Sequence, residues 1–182
     1  MQSTKNLFKF ASVKSFGVIG AGQMGTGIAI VASRVAKLPV VVYDSNEIAL
    51  KKSEEFVKGW SKKEISKNKM TQQEGDEFHS RFSFCKEVQS FEKNDVDFVV
   101  EAIVENANVK KSVLSAADKI LKKSAIIASN TSSISITELA SSTSRPNQVI
   151  GMHFMNPVPV MKLVEVIRGL QTSDDTLNAT QE

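Results

Sequence analysis

The chain has 182 residues, 41% hydrophobic and 24% charged, which is enough apolar mass for one globular core. Its 23 basic and 20 acidic side chains leave a formal charge of +3, so the balance gives no warrant for nucleic acid as a main partner. The single cysteine, Cys85, excludes an internal disulfide and argues against a cysteine-based metal site, and no apolar run is long enough to span a bilayer.

The first residues, MQSTKNLFKFASVK, carry Lys5, Lys9 and Lys14 and no acid. They weakly resemble a mitochondrial presequence, although arginine is missing; the alternative is a tail leading into the first strand. SFGVIG (residues 15–20) is a short apolar run ending in glycine and predicts a buried strand. QMGTGIAIVASRVAK (23–37) has the small and apolar residues of a helix packed on a sheet. PVVVYD (39–44) is a second strand ending in an acid. Residues 46–69 read as a lysine-rich helix with an apolar stripe that includes Leu50, Phe56, Val57 and Ile65. The polar stretch 66–80 completes a helical hairpin or forms a loop.

RFSFC (81–85) alternates as a strand does. A further buried strand lies within DVDFVVEAIVE (95–105), and NVKKSVLSAADKILKK (108–123) has helical spacing. AIIASN (125–130) predicts a strand, SITELASS (135–142) a short helix, QVIGMHF (148–154) a strand and MKLVEVI (161–167) another. RGLQTSDDTLNATQE at the end has no core-forming pattern. Strands alternating with helices imply right-handed crossovers and a mainly parallel, doubly wound α/β sheet. Ligands of such sheets bind beyond the carboxyl ends of the strands, where Asp44, Glu105, residues 130–133 and residues 153–156 are expected to gather.

GAGQMG, comprising Gly20, Ala21, Gly22, Gln23, Met24 and Gly25, matches G-x-G-x-x-G between a strand and a helix. Asp44 ends the next strand about twenty residues on, as a dinucleotide fingerprint requires. Gly20 permits a tight turn, Gly22 lets backbone approach a pyrophosphate, and Gly25 lets helix and strand pack closely. The helix N-terminus offers free N–H groups to the phosphates. Asp44 can accept from ribose hydroxyls and would repel a 2′-phosphate. Ser45 and Asn46 bring no arginine, so NAD is favoured over NADP.

VIGAGQMGTGIA, VVEAIVEN (99–106), ASNTSSISI (128–136) and GMHFMNPVPVMKLVEVI (151–167) together resemble the short-chain L-3-hydroxyacyl-CoA dehydrogenases of fatty-acid β-oxidation, in their NAD-binding Rossmann-type domain. The resemblance covers residues 15–170 or so. It implies oxidation of the 3-hydroxyl of an acyl-CoA to a ketone with NAD as acceptor. His153 would be the general base, Glu165 its carboxylate partner, and Ser132 and Asn156 neighbours of the reacting oxygen. Glu105 and Lys110 would lie near the nicotinamide and its ribose, and Lys67, on the lysine-rich hairpin, near the CoA phosphates. A serine expected on that hairpin falls at Trp60, with Ser61 next to it. The resemblance also implies a helical domain after residue 170 or so, absent from this chain. That domain would close the acyl pocket and form a homodimer. The chain alone is therefore expected to bind NAD but turn over poorly. A mitochondrial matrix location is implied, with the cytoplasm as alternative.

The residues carry their own chemistry. Alcohol oxidation needs a group to take the hydroxyl proton, and imidazole as a class titrates near neutrality. A carboxylate on the second ring nitrogen fixes the tautomer and stabilises the imidazolium. Pro157 and Pro159 restrict the backbone between His153 and Glu165, so that the chain can return beside the histidine. Ser132 and Asn156 can donate to a developing oxyanion or serve as turn and cap residues. The lysines of 51–69 read as a solvated face or as phosphate ligands, and His79, among charges, as a surface residue. Cys85 is expected to be buried rather than reactive. Two other classes remain open: a dehydrogenase of a small 2- or 3-hydroxyacid, and a non-catalytic NAD-binding protein.

Overall fold

The computed structural model describes residues 13–181, so the presequence reading, which concerns the first dozen residues, lies outside them. Seven strands form one sheet: β1 (Phe16–Ile19), β2 (Val40–Tyr43), β3 (Phe82–Cys85), β4 (Phe98–Glu101), β5 (Ile126–Ser129), β6 (Val149–Phe154) and β7 (Val164–Arg168). Their order is β3-β2-β1-β4-β5-β6-β7, the doubly wound order of a Rossmann fold with one strand added. The first six strands are parallel and β7 runs antiparallel to β6. The predicted doubly wound, mainly parallel α/β class is the observed one.

The central strands are apolar on both faces because helices cover both. Val18, Val42, Val100, Ala128 and Ile150 face one core layer. Their neighbours Ile19, Val41, Val99, Ile127 and Val149 face the other. Strand pleating turns successive side chains to opposite sides and so assigns them.

The helices are α1 (Gln23–Arg34), α2 (Glu47–Ser66), α3 (Gln72–Ser80), the single turn α4 (Ser90–Lys93), α5 (Ala107–Ile120), α6 (Ile136–Ala140) and α7 (Asp174–Gln181). Their starts are written in side chains. Asn46 caps α2 by accepting from the N–H groups of Ile48 and Ala49, and Asn106 caps α5 through Asn108 and Val109. Thr71 and Glu74 form a reciprocal capping box at the start of α3. A small third core of Ile30, Val57, Met70 and Phe78 seats the α2–α3 hairpin against α1. No helix among the described residues is long and apolar enough to cross a membrane.

Three expectations are corrected. The C-terminal stretch does contribute to the core: α7 buries Thr176, and Leu177 and Ala179 pack on the first apolar layer. The reason is polar. Thr172 donates to the Val149 carbonyl and Thr176 to the Asn147 carbonyl, contacts that an apolar pattern does not register. Phe56 points to solvent at 58% exposure, while its neighbour Val57 is buried. His79 is half-buried, because the fully buried Ser61 hydroxyl lies 2.7 Å from its Nε2 across the hairpin.

Candidate active site

The carboxyl ends of β1, β4 and β5 are level, with Ile19, Glu101 and Ser129 in register, and β6 continues past them to His153. At β1, Gly20 has a φ of +108°, and a Cβ there would stand 2.7 Å from the Ala102 carbonyl oxygen. A Cβ on Gly25 would lie 1.8 Å from the Gly20 carbonyl oxygen, so helix and turn touch through backbone alone. Gly22 faces open space and begins α1 without a side-chain cap. The first-turn N–H groups thus point to a clear approach for a pyrophosphate, and the residues present fit a dinucleotide. Asp44 closes the loop from β2: its Oδ2 accepts from the Ala21 N–H and its Oδ1 from the Asn46 N–H, both at 2.8 Å. Each oxygen keeps a further lone pair for a ribose hydroxyl.

Behind this lies a buried ionic cluster. Lys110 on α5 is 1% exposed and Glu101 at the end of β4 is 0% exposed. Lys110 Nζ stands 2.6 Å from Glu101 and 3.2 Å from Glu105. Glu101 also accepts from the Ile103 N–H at 2.8 Å and from the Ser129 hydroxyl at 2.5 Å, so both oxygens of the buried carboxylate are hydrogen-bonded. Glu105 accepts from the hydroxyls of Thr131 and Ser133 and from the Ser132 N–H at 3.0 Å. It ties the loop after β5 to the loop after β4. Partial desolvation raises the Glu105 carboxyl's pKa, but the Thr131 hydroxyl, Lys110 and the Ser132 N–H together hold it below its ordinary value. Glu101, which sequence reasoning missed, was visible only as an acid closing an apolar run.

At the far corner the antiparallel register sets His153 opposite Glu165. His153 Nδ1 and Glu165 Oε2 are 2.8 Å apart, with the side chains 23% and 53% exposed. A carboxylate can only accept, so Nδ1 carries the hydrogen, and in a neutral ring with that tautomer Nε2 is the acceptor. Asn130 fixes this strand end by accepting from the Phe154 N–H at 2.8 Å. Asn156 Oδ1 accepts from Gln23 Nε2 at 3.1 Å, which joins the glycine loop's helix to the loop after β6.

The sequence-predicted residues thus fall into four contacts: Ala21 with Asp44; Glu105 with Lys110 and Ser132; His153 with Glu165; and Gln23 with Asn156. Met24 sits on the first turn of α1, half-buried against the core. Lys67 stands apart as the exposed C-cap of α2. Cys85 is half-buried at the end of β3, and burial pushes its thiol pKa up. No cluster of acid, histidine and cysteine side chains able to hold a metal ion occurs among the described residues.

Residues 15–182 match a family described as "3-hydroxyacyl-CoA dehydrogenase, NAD binding domain". A probable 3-hydroxybutyryl-CoA dehydrogenase of Deinococcus radiodurans is 48% identical over 92% of this chain and 59% of its own length. The mitochondrial hydroxyacyl-coenzyme A dehydrogenase of Mus musculus is 41% identical over 92% of this chain and 54% of its own. Among solved structures, the (S)-3-hydroxybutyryl-CoA dehydrogenase of Ralstonia eutropha superposes with a TM-score of 0.88 at 44% identity, covering 93% of this chain and 59% of that one. The chain spans somewhat over half the length of these relatives. With the fingerprint, the strand order and the match over nearly its whole length, the chain belongs to the 3-hydroxyacyl-CoA dehydrogenase family, as its NAD-binding domain.

Proposed function

We propose that the protein oxidises the 3-hydroxyl of an L-3-hydroxyacyl-CoA to the ketone, as in fatty-acid β-oxidation. The observation that carries this reading is the His153–Glu165 contact of 2.8 Å at the same sheet edge as the fingerprint. His153 Nε2 takes the hydroxyl proton as the carbinol C–H bond breaks, and Glu165 at Nδ1 stabilises the imidazolium that forms. NAD bound at the fingerprint supplies the acceptor for the hydrogen and its electron pair. Backbone N–H groups at Gln23, Met24 and Gly25 receive the pyrophosphate, and Asp44 the adenosine ribose. Glu105, held by Lys110, shapes the nicotinamide end together with the 131–133 loop. Ser132 and Asn156 donate to the substrate oxygen, and Lys67 meets a CoA phosphate. The names of the bacterial relatives support a short acyl chain, and that of the mouse relative supports a mitochondrial location, with the cytoplasm as the alternative. A homodimer, formed through a further helical domain, belongs to the same reading.

The test is acetoacetyl-CoA-dependent oxidation of NADH, followed by absorbance, in the full-length protein that includes the further helical domain and in its His153→Ala variant. Consumption that collapses in the variant supports the reading. Binding of NADH without consumption by the unsubstituted protein would overturn the acyl-CoA assignment and leave a small hydroxyacid substrate or a non-catalytic binder.

A further inference from the structure

We propose that Gln23 is a positioning residue that holds the Asn156 amide in place beside the substrate, an inference that rests on the reading of Asn156 as a neighbour of the reacting oxygen. Gln23 occupies a variable position of the G-x-G-x-x-G pattern, where only the backbone is needed for a pyrophosphate. Its side chain does something else: Nε2 donates to Asn156 Oδ1 at 3.1 Å, across 133 residues of sequence.

A second contact on the same face of α1 shows that the helix and the loop are fitted to each other. Gly27 lies four residues after Gln23, one helical turn on. A Cβ added to Gly27 would come within 2.8 Å of the Val158 Cβ, and Val158 is 4% exposed. Helix α1 therefore meets the loop after β6 at two points, Gln23 on Asn156 and Gly27 on Val158. The second fixes where the loop lies, and the first acts on one rotatable amide within it.

The consequence is chemical. An asparagine amide turned by a half rotation exchanges a donor for an acceptor at nearly constant shape. With Oδ1 engaged by Gln23, the Nδ2 hydrogens are turned away from α1 and left to donate. A donor there stabilises negative charge developing on the substrate oxygen in the reductive direction; an acceptor would oppose it. The Gln23 side chain thus carries information from the cofactor loop to the reacting corner.

The experiment compares Gln23→Leu, which removes the donor, with Gln23→Glu, which can only accept and so draws the Asn156 NH2 towards α1. Turnover of acetoacetyl-CoA at saturating NADH is read beside the KM for NADH. Gln23→Leu is expected to lower kcat about tenfold, the worth of one well-placed hydrogen bond, while the KM for NADH moves by less than about threefold. Gln23→Glu should lower kcat further. In an Asn156→Ala background Gln23→Leu should cost nothing more. An unchanged kcat in Gln23→Leu, or the same loss in the Asn156→Ala background, overturns the inference. Failure of the dehydrogenase reading would look different: the unsubstituted protein would consume no NADH. The inference is then read from 15N NMR, where Gln23→Leu must shift the Asn156 side-chain amide signals, and unshifted signals overturn it.

Discussion

Two side-chain pairs at the carboxyl edge of one sheet differ in nearly every physical respect. Lys110 and Glu101, 2.6 Å apart, are 1% and 0% exposed, and Glu105, the Ile103 N–H and the Ser129 hydroxyl complete the cluster. His153 and Glu165, 2.8 Å apart, are 23% and 53% exposed. Removing one partner of a buried pair strands a charge in a poorly polarisable medium, so such a pair tolerates no change of state. The exposed pair is open to a substrate at the sheet edge, as a general base must be. The first therefore holds the site's shape and the second is suited to its chemistry.

The sharpest way to break this contrast is to exchange the expected losses. His153→Gln should lower turnover about a thousandfold, within the usual range for removing a general acid–base group, and leave the thermal midpoint nearly unchanged. Lys110→Met should do the opposite first. It leaves Glu101 buried without its cation, and a cost of about 3–5 kcal/mol in urea unfolding is expected. If His153→Gln unfolded the protein while Lys110→Met did not, the division between shape and chemistry would be wrong.

Acid sharpens the same contrast. The Glu105 carboxyl is held below its ordinary value near 4.5, so its stabilising contribution is complete above that pH and is lost as the pH falls through the lower folded value. The protection factor of the Ser132 amide, whose N–H donates to Glu105, should fall as the pH drops below about 4.5, and Glu105→Gln should flatten that dependence.

The smallest effect is expected at the Ser61–His79 contact, which lies between the two extremes in burial. Burial first, then Lys58 and Lys62 against Asp76, lower the His79 pKa. The neutral ring is the form the fold prefers, so the contribution is complete above the ordinary value near 6.5 and fades as the pH falls through the lower folded value. Trp60, the only tryptophan, lies with its ring 5.4 Å from that of Phe78 and tilted by 41°, and Phe78 meets the His79 ring at the same distance. Its fluorescence should change over this window and stop changing in His79→Gln; an identical titration in that variant would remove His79 as the cause.

How legible these features were depends on how far apart their parts lie. The dinucleotide loop could be read residue by residue because its parts are local: a strand, three glycines, a helix start and an acid one crossover away. The His153–Glu165 contact was expected from a resemblance, with its two prolines as the only local hint of a return. The Glu101–Lys110 pair went unread because an acid at the end of an apolar run looks like the end of the run. The C-terminal helix was missed because it is anchored through threonine hydroxyls donating to carbonyls, and such contacts leave no apolar period.

By itself the sequence determined the alternation of strands and helices, the two-faced burial of the central strands and the cofactor loop. Each follows from backbone geometry and side-chain period acting over a few residues. Only the tertiary structure decided which polar groups meet: Lys110 with two glutamates, Glu105 with the 131–133 loop, Ser61 with His79, Gln23 with Asn156. Those partners lie on separate elements, and they meet because crossovers and the antiparallel last strand set the elements in register. A short-range pattern cannot encode that juxtaposition, since the same residues would satisfy their hydrogen bonds with water anywhere else on the surface.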